Sequence, residues 1–138
     1  MSNGSLSFSG QSFILDSIAE KINGLGGLYV GLMTNNVPLL RTDQTPSGIV
    51  ELSSTTCSGY ARVLTNSFTA VYDSDAPYIK GSSVTFTIAS GSWNNVYGYF
   101  VSKDLNNTIL WSEVLPSDKC GLIPSGNPII ITPLYYQY

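Results

Sequence analysis

The 138-residue sequence predicts an all-β domain, a β-sandwich or jelly-roll of about eight strands with one short N-terminal helix. Three observations predict it. Ser83-Val-Thr-Phe-Thr-Ile88 alternates strictly, with Val84, Phe86 and Ile88 on one side and Ser83, Thr85 and Thr87 on the other. Period two over a run of this kind marks a half-buried strand. Further β-branched and aromatic runs recur at a spacing of about 8–18 residues, separated by Gly, Pro, Asn and Asp, which is sandwich or barrel punctuation. Only one segment carries helical periodicity.

That segment follows a Ser-, Gly- and Asn-rich start, residues 1–10, which reads as a flexible arm ahead of a single domain over 11–138. Ile14, Ile18 and Ile22 recur every four residues, with Leu15 and Ala19 on the adjoining row. This is one apolar helical stripe, with Ser12 as its N-cap and Asp16 in its first turn. Asn23-Gly24 is expected to stop it, and Gly24-Leu-Gly-Gly27 to turn the chain from helix into strand. The strand-like runs that follow are Leu28–Thr34, Ile49–Leu52, Tyr60–Thr65, Phe68–Tyr72, Ser83–Ile88, Asn95–Ser102, Thr108–Val114 and Pro128–Tyr135. Lys103–Asn107 between the sixth and seventh predicts a hairpin. The stretch Pro116–Pro128 reads as turn material.

Composition narrows the function classes. Only 11% of residues are charged, the six Lys and Arg are dispersed, and the net charge is −3, so no basic face is present to hold a nucleic acid. There is no histidine, which removes Ser-His-Asp and Cys-His catalysis and imidazole metal ligands. No apolar run is long enough to span a bilayer as a helix. Met1–Ser9 lacks the basic start and apolar core of a secretory signal, which predicts cytoplasmic synthesis. In that compartment Cys57 and Cys120 are expected as buried free thiols rather than a disulfide. No cofactor is expected.

The carboxylates offer little chemistry. Asp73-Ser-Asp75 has the opening spacing of a calcium loop but lacks its Gly and distal Glu, and reads better as a solvated turn. Glu51 and Glu113 lie in strand-like runs and could form a glycosidase pair, which needs a carboxyl separation of roughly 5–9.5 Å. Pairing of Glu51 with a cross-strand Arg62 is the competing reading. The expectation is therefore that the protein is not an enzyme.

The aromatic residues remain. In Val96-Tyr-Gly-Tyr-Phe-Val101 both faces are apolar, so the run should be a central strand covered on each side. Tyr97, Tyr99, Tyr135, Tyr136 and Tyr138 are the candidate interface residues, since a tyrosine has an apolar body and a polar tip. Trp93 and Trp111 are candidates for stacking on sugars. Ordinary packing is the simpler reading for the strand tyrosines.

The succession of the helix, Leu28-Tyr-Val-Gly-Leu-Met-Thr-Asn35, Gly59-Tyr-Ala-Arg62, Val84-Thr-Phe-Thr-Ile88, Val96–Val101, Ile109-Leu-Trp-Ser-Glu113 and Ile131-Thr-Pro-Leu134 resembles small virion proteins of tailed bacteriophages. Some of these act as head decoration or cement proteins. The resemblance implies a β-sandwich or jelly-roll module, a homotrimer, that caps junctions of the major capsid protein on the capsid surface of the virion. In that setting the N-terminal arm and the loop Arg41–Ser58 would reach neighbouring subunits. Competing expectations are a tail-associated receptor- or glycan-binding module and, behind it, a glycosidase-type depolymerase.

Overall fold

The computed structural model describes residues 7–34, 50–72, 77–87, 93–105, 109–115, 121–123 and 128–136. The chain starts with helix α1, Phe8–Gly24. Its N-cap is Ser7, whose hydroxyl accepts the Gly10 N–H at 3.1 Å, and not Ser12. Ser7 has extended backbone angles, as a cap requires, while Ser12 lies inside the helix, where a serine is tolerated. Residues 8–10, expected as arm, are helical, and Asp16 falls mid-helix with no acidic residue in the first turn. Leu15, Ala19 and Ile22 form the buried row, and Ile14 and Ile18 flank it half-buried.

The left-handed turn falls later in the chain than Asn23-Gly24 suggests. Leu25 N–H still reaches the Lys21 and Ile22 carbonyls, and the left-handed residues are Gly26 and Gly27, at φ 90° and 108°. A Cβ on Gly27 would run into the Thr65 carbonyl. Gly27→Ala therefore meets both a forbidden φ and a clash, and should cost about 1–3 kcal/mol in urea denaturation. A loss below about 0.5 kcal/mol would show that the turn re-forms without the left-handed residue. Asn23 ties the end of the helix to the sheet region: its side-chain amide donates to Phe68 O at 2.9 Å and accepts from Phe68 N–H at 2.8 Å.

Eleven strands follow among the described residues: β1 Leu28–Met33, β2 Val63–Thr65, β3 Thr69–Val71, β4 Tyr78–Lys80, β5 Val84–Phe86, β6 Trp93–Val96, β7 Gly98–Ser102, β8 Ile109–Val114, β9 Gly121–Ile123, β10 Ile129–Ile131 and β11 Leu134–Tyr136. All pairings are antiparallel. They form a four-stranded sheet β2-β1-β7-β8, a three-stranded sheet β11-β4-β3 and the pairs β10-β5 and β6-β9. The fold is thus mostly β with one helix, as expected. No described helix is long and apolar enough to cross a membrane.

The extra strands come from two sources. The run Asn95–Ser102 splits at Tyr97, so β6 and β7 serve different sheets. Tyr97 keeps its backbone bonded across the break, donating to Met33 O and accepting from Leu115 N–H. The run Pro128–Tyr135 splits at Thr132-Pro133, where proline has no N–H to continue a ladder. β4 and β9 lie in stretches that carry no strand signal in the sequence. The hairpin β7–β8 forms as expected, with a register shift between Val101 and Ser102.

One buried cluster joins these parts. Leu28, Val30, Leu32, Tyr99 and Val101 from the four-stranded sheet meet Leu15 and Ile22 of the helix, Ile79 of β4, Val84 and Phe86 of β5, Trp93 and Val96 of β6, and Ile129 and Ile131 of β10. β7 is buried along its whole length, so both its faces are covered. Phe100 lies on the face away from this cluster, directly opposite Gly31 of β1. A side chain at Gly31 would overlap the Phe100 ring, which is why the central strand carries glycine there.

Candidate functional site

Two side-chain clusters stand out on this frame, one polar and one aromatic. The polar one fills a gap in the sheet. Strand β2 stops pairing with β1 at Val30↔Val63, and the segment Val50–Leu52 resumes it, with Thr34 N–H to Val50 O and Leu52 N–H to Leu32 O. Between the two, the Leu32 N–H donates to the Tyr60 hydroxyl at 3.0 Å. Tyr60 in turn donates to Glu51 Oε2 at 2.5 Å. Arg62 closes the group with a two-pronged contact, Nε to Oε2 and Nη2 to Oε1, each 2.9 Å. Its Nη1 donates to Ser102 Oγ and to the Asp104 carbonyl, and its guanidinium carbon lies 5.0 Å from the Phe100 ring centre.

This arrangement consumes its polar groups internally. Burial, then the hydrogen bond to Glu51, hold the Tyr60 hydroxyl far above the usual tyrosine range, so it stays protonated as a donor. The hydrogen bonds to Glu51 push the Arg62 guanidinium up, against the desolvation that opposes its charge. Glu51 is therefore the ion-pair partner of Arg62, the structural alternative that the sequence left open. It is not placed for a glycosidase pair with Glu113: Glu51 bridges to Met33 on the side of β1 away from β7, and Glu113 lies on β8. Three strand spacings, about 14 Å of backbone, separate them. The segment from Val50 to Ser58, expected as part of a reaching loop, is held against the sheet, with Leu52 and Cys57 buried.

The aromatic cluster lies where the four-stranded and three-stranded sheets meet. Tyr99 of β7 is 2% exposed and its hydroxyl accepts the Leu134 N–H at 3.2 Å, which fixes β11 beside the sheet. Tyr99 is thus buried in the core of the chain, with its polar tip satisfied by backbone. Next in the chain, Tyr135 packs its half-buried ring on Trp111 of β8, with centroids 5.5 Å apart and planes at 34°. The Trp111 indole N–H is buried and has no hydrogen-bond partner. Leaving a buried donor unsatisfied costs about 1–3 kcal/mol, so such a group in a native fold calls for an acceptor. Trp93, by contrast, is 1% exposed and donates its indole N–H to Ser58 O, which removes it as a sugar-stacking residue.

Tyr97 is half-buried; Tyr136 lies in β11, and Tyr138 falls outside the described residues, as do Asp73-Ser-Asp75 and Cys120. Cys57 is a buried free thiol. Glu113 is exposed as a residue, yet desolvation by the atoms around it raises its carboxyl above the ordinary value. A raised carboxyl favours the folded state when protonated and loses that contribution as pH rises through its folded value. Glu113→Gln should therefore raise the melting temperature slightly at pH 7, with the gain vanishing below the ordinary glutamate value of 4.5. A gain that persists into acid would have another origin. Among the described residues no three His, Cys, Asp or Glu side chains group as a metal site.

Sequence reasoning missed the role of Tyr60 and the unmet indole N–H of Trp111. The adjacent Glu51, Tyr60 and Arg62 were visible as residue types, but only the end of β2 reveals the ladder position that Tyr60 fills. No protein-family model, curated protein or solved structure matches the chain.

Proposed function

We propose that this protein is a non-enzymatic structural part of a phage virion, a decoration or cement protein that binds the major capsid protein on the outer surface of the head. The observation that carries this reading is the kind of surface the fold leaves open. Phe13, Leu64, Leu105, Leu110 and Ile130 are large apolar side chains exposed to solvent, on a chain with 11% charged residues. Apolar anchors within a polar, electrically quiet surface suit lasting contact with other protein. The part-buried Arg62–Glu51 pair packs on the sheet beside Phe100 and spends its hydrogen bonds within the chain, so it supports rigidity rather than an external partner.

On this reading the four antiparallel sets of strands form a jelly-roll-like sandwich, and a trimer of the chain links several capsid subunits. Linking raises the effective concentration of each further contact, which stabilises the head without catalysis. Copy number in purified particles tests it. Decoration requires a count in proportion to the major capsid protein, and a count of a few per particle would reject decoration in favour of a tail location. Sedimentation of the isolated protein at three times the chain mass is the expected oligomer result.

A charge-poor contact also has a salt signature. Washing particles with about 1 M salt, where the screening length falls to about 3 Å, should leave the protein bound. Release at molar salt but not in dilute buffer would mean that the contact is held by charge.

A further inference from the structure

We infer that Asn23-Gly24 is a site of spontaneous covalent modification, deamidation, which the fold holds shut and which opens only when the end of α1 separates from Phe68. The inference does not depend on the capsid reading. It starts from the chemistry of the dipeptide. The backbone nitrogen of Gly24 can attack Cγ of the Asn23 side chain, since glycine has no Cβ to crowd the approach. Both residues are exposed to water, and nothing lies within 4 Å of where a Cβ on Gly24 would stand. The steps balance without a cofactor. The Gly24 nitrogen gives up its proton and bonds to Cγ, the bond from Cγ to the amide nitrogen breaks, and ammonia leaves with a proton. Water then opens the five-membered imide at either carbonyl, leaving aspartate or isoaspartate. One amide and one water become one carboxylic acid and one ammonia, and nothing is oxidised or reduced.

Two features of the folded chain oppose ring closure. Gly24 is the last residue of α1, so its nitrogen lies within the helix ladder, and the ring closes only after ψ of Asn23 leaves the helical well. The Asn23 amide is also pinned at both ends, donating to Phe68 O at 2.9 Å and accepting from Phe68 N–H at 2.8 Å. Release is nonetheless local. The left-handed Gly26 and Gly27 follow directly, and a helix end opens at lower free energy than a packed core.

The product cannot remake the tie. A carboxylate at position 23 still accepts the Phe68 N–H but has no hydrogen for Phe68 O, so two oxygens face each other. It also places a negative charge at a helix C-terminus, the unfavourable end of the dipole, on a chain whose net charge is already −3. Isoaspartate in addition lengthens the backbone by one carbon just before the turn. Opening therefore permits the reaction, and the reaction keeps the helix end open: the site is a one-way device.

The sequence supplies its own control. Asn3-Gly4 is the one other Asn-Gly pair, and trypsin cleavage after Lys21 and Arg41 places the two pairs in separate peptides. The full-length protein is kept at mildly alkaline pH, in native buffer and in concentrated guanidinium chloride, and conversion is followed by peptide mass spectrometry. In denaturant Asn23 should convert at the rate of Asn3, because both are then the same dipeptide in an open chain. In native buffer Asn23 should convert at least about tenfold more slowly than in denaturant, the protection given by a helix end that must first open. Gly24→Ala meets no neighbour in the fold and favours the helix, yet its Cβ crowds the attacking nitrogen, so it should slow conversion in denaturant while the protein stays folded. Asn23→Asp, which copies one product, should melt a few degrees below wild type. The inference is overturned if Asn23 converts as fast in native buffer as in denaturant, or stays intact in denaturant while Asn3 reacts. An unchanged rate in Gly24→Ala would overturn it too, by excluding the Gly24 nitrogen as the nucleophile. Equal melting of Asn23→Asp and wild type would overturn the one-way device.

Discussion

Replacing Arg62 with methionine should lower the unfolding free energy by about 3 kcal/mol, near the lower end of the range for breaking a buried ion pair from one side. The lower end follows from the geometry. The Arg62 side chain is 9% exposed but that of Glu51 is 31% exposed, so water relieves part of the charge left behind. What remains is still large, because the guanidinium makes five contacts at once: two to the carboxylate, one to Ser102 Oγ, one to the Asp104 carbonyl and one to the Phe100 ring. Methionine keeps an apolar stem but removes the guanidinium contact with the Phe100 ring and all four hydrogen bonds. For a domain of this length the loss corresponds to a fall in melting temperature of about 10 °C. Arg62→Lys should recover little, since an ammonium cannot satisfy both carboxylate oxygens in the plane of a fork. Arg62→Met combined with Glu51→Leu should recover much of the loss, because no charge is then stranded. A single Arg62→Met variant within about 1 kcal/mol of wild type would show that the pair behaves as a surface contact.

The residues in this group show where sequence reading stops. Alternation in Ser83–Ile88 and the two apolar faces of Val96–Val101 were legible because each run is long enough to display a period. β5 alternates as expected over Val84–Phe86, and β7 is covered on both faces. β4 and β9 have three residues each, too few for any period, and β4 lies between Pro77 and Gly81, which read as turn signals. The burial of Tyr99 was equally hidden. A tyrosine in a strand is suited both to a core and to an interface, and only the approach of Leu134 N–H to its hydroxyl separates the two. Trp111 illustrates the converse: sequence marked it as aromatic surface, but its unmet N–H depends on what the folded chain brings near. Local pattern is written in neighbouring residues, whereas satisfaction of a polar atom is decided by residues distant in the chain.

Trp93 and Trp111 therefore predict unequal costs from the same substitution. Trp93→Ala should cost about 3–5 kcal/mol, the range for removing a large aromatic side chain from a packed core. Two contacts are lost together. The ring meets Tyr60 edge-on, with centroids 5.9 Å apart at 81°, and Tyr60 is stacked in turn on Phe86. The indole N–H holds Ser58 O, which fastens the segment after Leu52 to β6. Loosening that segment also loosens Tyr60, and with it the acceptor for Leu32 N–H and the donor to Glu51. The effect of Trp93→Ala should thus be coupled to that of Arg62→Met, and the double variant should lose less than the sum of the two. Strict additivity in a denaturation cycle would show that the aromatic stack and the ion pair are independent. Trp111→Ala, at the half-buried edge, removes a ring together with an unmet donor, so the lost packing is offset by relief of the unsatisfied group. Its stability cost should be well below that of Trp93→Ala. If the two costs are equal, the Trp111 N–H is satisfied in solution, and the ring is as much a core residue as Trp93.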